Sequence, residues 1–139
     1  MPTPKRTLIR QAVLAALEPL KLEGVTEVFS NRVEQYSASH LPVVSCYFVN
    51  EETSPAAVQS NSYRRTLSLR IDIIVEAESG IDDQLEQFQE LVEEALKNNP
   101  LGGHIQGIEL KGSQTELLAD ASAQAFGKCE INFEIKYTN

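Results

Sequence analysis

The sequence predicts an α+β fold of two layers: a mainly antiparallel or mixed sheet with two helices packed on one face. Three observations predict it. Residues 63–77 (YRRTLSLRIDIIVEA) and 127–137 alternate apolar and polar side chains with the period of two that half-buries a strand. Residues 5–20 and 82–97 instead repeat apolar residues at three- and four-residue steps, the period of an amphipathic helix. The order helix, strands, helix, strands lets both helices cover the single apolar face such strands share.

In the first helix, Leu8, Ile9, Ala12, Val13, Ala16, Leu17 and Leu20 draw one stripe. Thr3 is placed to cap its start and Pro4 suits its first turn, whereas Pro19, lacking an amide hydrogen, ends or kinks it. Gly24 then releases the chain into a short strand over residues 25–33. The run LPVVSCYFV, residues 41–49, is rich in β-branched and aromatic residues and predicts a buried strand. Residues 50–61 mix Glu, Thr, Ser, Pro, Ala, Gln and Asn without a period, so a long, mobile connection of the kind that meets partners is expected there.

In residues 63–77, Leu67, Leu69, Ile71, Ile73 and Val75 point to the core. Thr66, Ser68, Arg70, Asp72 and Glu76 point away from it, toward water or a partner. Beyond Gly80, Leu85, Phe88, Leu91, Val92, Ala95 and Leu96 share one face of the second helix, and Asp82 or Asp83 stands at its start, where a carboxylate satisfies free amides and the dipole. NNPLGG ends this helix. A strand over residues 105–112 and a strand or turn over 114–120 follow. In the last strand Cys129, Ile131, Phe133, Ile135 and Tyr137 alternate with Glu130, Asn132, Glu134, Lys136 and Thr138, which makes it the expected antiparallel neighbour of residues 63–77.

The length of 139 residues fits one compact domain spanning residues 1–139. A formal net charge of -8 with no dense Lys/Arg block argues against a protein that grips nucleic acid through phosphates. No apolar run reaches the roughly 20 residues that span a bilayer, and residues 1–10 lack the apolar core of a secretory signal, so a soluble, cytoplasmic chain is expected. Cys46 and Cys129 have neither a CxxC pair nor clustered histidines, which favours buried small hydrophobes in a reducing compartment over metal ligands, with a disulfide as the lesser alternative.

No nucleophile elbow, phosphate-binding glycine loop or HExxH helix is present. His40 and His104 fall in turns at strand entrances, where a solvated loop histidine is the simpler reading than a catalytic base. Asp82 and Asp83 could hold a cation, but two carboxylates at a helix start act more often as a cap. Glu86, Glu90, Glu93 and Glu94 form a solvated face or, repeated around a ring, an acidic lining. Arg64 and Arg65, where the expected loop enters its strand, are either ordinary surface or an anchor for an acidic partner. The expectation is a protein with no catalytic residues, no metal and no cofactor.

Taken in order, RTLIRQAVLAALE, LPVVSCYFVNEE with its following loop, RTLSLRIDIIVEA, IDDQLEQFQELVEEAL and INFEIKYTN resemble the tail terminator proteins of long-tailed phages, the minor tail protein U type. Order and spacing carry the resemblance, because no single segment is specific. It extends over nearly the whole chain and departs most at SQTELLADASAQAFGK, residues 113–128.

The resemblance implies a small subunit that forms a hexameric ring, caps the tail tube, stops its polymerisation and offers a surface to the head-side connector. Its partners would be the tail tube protein, that connector and further copies of itself. DNA would pass through the bore without specific binding, no membrane would be involved, and the protein would move from host cytoplasm to virion tail. Arg64, Arg65, Arg70, Asp72, Glu76, Asp82 and Asp83 are the candidate residues for subunit or tube contacts. Another head-tail connector or neck protein, or an unrelated small-molecule-binding α+β domain, are the competing readings.

Overall fold

The computed structural model describes residues 3–30, 41–56, 62–76, 81–119 and 125–139. Five strands form one sheet in the order β1-β2-β3-β5-β4: β1 (Glu27–Phe29), β2 (Val43–Pro55), β3 (Tyr63–Glu76), β4 (Gly107–Ala119) and β5 (Ala125–Thr138). Only the β1–β2 pair is parallel; the other pairs are antiparallel. Helices α1 (Lys5–Leu17) and α2 (Ile81–Leu96) complete the α+β architecture. The two alternating strands are neighbours as expected, with Leu67 opposite Ile135, Leu69 opposite Phe133 and Ile71 opposite Ile131.

These apolar partners form the floor of the core, and the helices form its roof. α1 buries Ile9, Val13 and Leu17, and α2 buries Leu85, Phe88, Val92 and Leu96 against the same cluster. Each such side chain contributes about 1.5–3 kcal/mol when taken fully from water. α1 packs toward β1 and β2 while α2 packs on β3 and β5, so the helices lie side by side over opposite halves of the sheet. α2 comes down close on β5 at Gly127, where an added Cβ would stand 2.5 Å from Ile81 Cδ1. A second, smaller cluster of Val43, Ile74 and Phe126, with Phe29 and Leu41 packed beside it, covers one end of the opposite sheet face.

Several local expectations change. Thr3 does not cap α1: the N-cap is Pro4 with no side-chain cap, and the Leu8 amide donates to the Pro4 carbonyl at 3.1 Å. Pro19 does end the α-helix, and a 3-10 segment over Glu18–Glu23 closes on Gly24, whose φ of 110° is open to glycine at little cost. Of the strand expected over residues 25–33, Glu27–Phe29 is paired and residues 31–33 lie outside the described residues. Of the long loop expected over residues 50–61, residues 50–55 are instead strand and residues 57–61 lie outside the described residues. β2 runs to Pro55, and residues 50–55 pair with residues 63–68 after a bulge between Phe48 and Asn50. Backbone pairing with β3 supplies the hydrogen bonds there, so no apolar period is needed. Residues 105 and 106 precede β4, and the uncertain stretch from Gln114 is the second half of that strand.

Candidate interface surfaces

The face of the sheet away from the helices carries the polar residues of β3. Arg70 is half-buried and its Nε donates to Asn132 Oδ1 at 3.1 Å. Asp72 is only 2% exposed, although the alternation placed it on the outward face. Cross-strand pairing sets Ser45 and Glu130 on either side of it. Tyr47 Oη donates to its Oδ2 at 2.7 Å, and Lys128 Nζ stands 3.9 Å from the same oxygen and 3.1 Å from Glu130 Oε1. Oδ1 is buried without a hydrogen-bond partner. Burial pushes the Asp72 carboxyl above the usual carboxylate range, against the opposing pull of the Tyr47 hydrogen bond and the Lys128 charge. Glu76, at the end of β3, is exposed.

The Arg64–Arg65 doublet does not act as one anchor, because adjacent strand residues point to opposite faces. Arg64 is exposed. Arg65 is held within the chain: its Nε donates to Asn139 Oδ1 at 2.6 Å, and its Nη1 lies 3.4 Å from both Glu51 Oε2 and Thr53 Oγ1. Glu51 also takes Arg6 of α1 and the hydroxyl of Tyr137. This carboxylate thus ties α1, β2, β3 and β5 together, a role hidden in the sequence because Glu51 falls where no pattern marks a strand.

Asp82 and Asp83 are exposed in the first turn of α2, where negative charge complements the dipole. The seven candidate residues therefore occupy different regions: the hairpin of β2 and β3, the polar sheet face, and the start of α2. No cluster of three His, Cys, Asp or Glu able to hold a metal occurs among the described residues. Cys46 and Cys129 are free and buried, and desolvation raises both thiols, Cys46 to about 11. His104 is half-buried just after the Leu101–Gly103 turn, and His40 lies outside the described residues.

One further surface was not legible in the sequence. Between the C-terminal end of α2 and β4 lies a groove of about 280 Å³ with an apolar floor of Leu96, Ile108, Leu110 and Phe133 and with Glu93, Glu94, Lys97 and Asn98 among its walls. β4 is the outer strand of the sheet, residues 111–117 are exposed along it, and Leu110 and Leu117 are 45% and 68% exposed. No described helix is long and apolar enough to cross a membrane.

The fold and its surfaces define a small α+β subunit with a polar sheet face and one long, exposed edge strand. The family phage minor tail protein U matches residues 4–137, and the chain belongs to that family. It is a structural protein of phage tails. No curated protein matches the sequence significantly. Among solved structures, a chain from the virion of a native gene transfer agent particle superposes with a TM-score of 0.59 at 12% identity, covering 94% of each chain. At that identity the likeness is one of fold.

Proposed function

We propose that the protein forms a ring, of six copies as the family resemblance implies, that seats on the finished tail tube, ends its polymerisation and presents its other side to the head-side connector. The family match from residue 4 to residue 137 carries this reading. The subunit itself supports it: the sheet ends in a three-residue strand, β1, on one edge and a thirteen-residue strand, β4, on the other. Unlike edges suit a heterologous contact, which closes into a ring when the rotation permits.

The mechanism is binding. One surface imitates the next ring of tube protein and the opposite surface does not repeat the acceptor, so growth stops. The net charge of -8 suits a bore through which DNA passes without adhering. Assembly takes place in the host cytoplasm and the product stays in the virion tail. Polymerising the matching tube protein with and without this chain, and measuring tube lengths by electron microscopy, tests the reading. Restricted lengths with added density at one end are expected; unchanged lengths with bare ends would refute it.

A further inference from the structure

The two helices carry opposite charge. α1 contains Lys5, Arg6 and Arg10 and no acid, whereas α2 contains Asp82, Asp83, Glu86, Glu90, Glu93 and Glu94 and no base. Asp82 and Asp83 suit the start of their own helix, but Lys5 and Arg6 in the first turn of α1 and Glu93 and Glu94 in the last turn of α2 are each opposed by the local dipole. Among the described residues no ion pair holds Arg10, Asp82, Glu86, Glu90, Glu93 or Glu94.

Arg10 and the acids of α2 also lie over opposite halves of the sheet. Arg6 is tied to Glu51 of β2, and Arg10, one turn on, is near enough for its charge to act on Cys46 of β2. On α2, Asp82, Glu86, Gln89 and Glu93 recur at the spacing of one helical stripe. Gln89 fixes where that stripe faces: its Nε2 donates to Ser113 Oγ of β4 at 2.9 Å. The acidic stripe therefore overlooks β4, whose exposed Leu110 and Leu117 and adjoining groove have no cover from this chain's described residues. A long open strand with apolar side chains is a surface that chains normally blunt or pair.

We propose that the α2–β4 edge is the acceptor surface for the outward face of α1 of a second copy, with Arg10 of one subunit facing Asp82, Glu86 and Glu93 of the next, and the groove beneath them closed by the contact. This rests on the ring reading above and assigns the two faces that meet in it. The opposed charges select a second copy as the occupant, because the chain carries both halves of the match, and they set a head-to-tail register.

Two variants test it on tail tubes assembled from the matching tube protein: E86K/E93K, which leaves Asp82 as the stripe's one acid beside two lysines, and R10E, which replaces the base facing that stripe by an acid. Each alone is expected to lower the fraction of capped tube ends by about tenfold or more. Mixed in equal amounts they are expected to recover capping, since each supplies the charge its neighbour lacks; recovery also shows that both fold. If each variant alone caps as well as the unaltered chain, or if the mixture recovers nothing while both variants keep the unaltered far-UV spectrum and melting temperature, the edge assignment is overturned and the ring reading stands. If the unaltered chain itself leaves tube ends bare, the ring reading fails and this assignment with it.

Discussion

Tyr47 holds Asp72 by a 2.7 Å hydrogen bond to Oδ2 while the buried Oδ1 has no hydrogen-bond partner. A buried carboxylate with an orphan oxygen disfavours its charged form, and here the desolvation outweighs Tyr47 and Lys128. Because the folded carboxyl titrates above its unfolded counterpart, the native state binds more protons between those two values. Stability therefore falls as pH rises through that window, and the cost is fully present above it. Asp72→Asn is expected to raise the melting temperature at pH 7, with the gain shrinking as pH drops toward the ordinary Asp range. Thermal melts across pH 3–8 (about the span of ordinary Asp and His titration) check this; a variant less stable than the parent at pH 7 would contradict it.

Gly127 is where α2 comes down on β5. A Cβ there would stand 2.5 Å and 2.8 Å from two atoms of Ile81 and 3.1 Å from Leu85 Cδ1. Gly127→Ala is expected to cost about 1–3 kcal/mol by overpacking. Chemical denaturation measures it, and adding Ile81→Ala should make the two changes less than additive.

Glu51 joins Arg6, Arg65 and Tyr137 across four elements. Removing the carboxylate by Glu51→Ala leaves the nearly buried Tyr137 hydroxyl without this acceptor, and a loss of about 1–3 kcal/mol is expected. Glu52→Ala, at an exposed neighbour on the same strand, should change stability by less than about 0.5 kcal/mol in the same denaturation assay.

Asp82 and Asp83 are exposed at the dipole-favoured end of α2. Reversing both to Lys is expected to cost only about 0.3–1 kcal/mol per residue in stability. The same variant should lose tube capping, because Asp82 belongs to the stripe that overlooks β4. Normal capping with this folded variant would remove the α2 start from the interface.

The elements legible in the sequence were those that keep one face wholly apolar. β3 and β5 could be read because Leu67 to Val75 and Cys129 to Tyr137 lie under the helices and must alternate. α2 could be read because Leu85, Phe88, Val92 and Leu96 all face the sheet. The outer half of β2 could not. Asn50, Glu52, Thr53, Ser54 and Pro55 are exposed and held by backbone pairing with β3, which imposes no apolar period.

The candidate site was less legible for a related reason. Period two assigns Asp72 a face but says nothing of what crowds that face, and Tyr47 and Lys128 come from strands far away in sequence. Adjacent arginines looked like one basic anchor until the strand turned Arg65 into the Glu51 network and left Arg64 exposed. The acidic run on α2 was visible, but its relation to β4 depended on a strand order that no local pattern encodes.

Cryo-electron microscopy of capped tube ends tests the central claim most directly. The account predicts a closed ring of this chain at one end of each tube, each copy presenting its α2–β4 edge to α1 of the next. Tube ends carrying no ring, or this chain bound only along the tube wall, would contradict it.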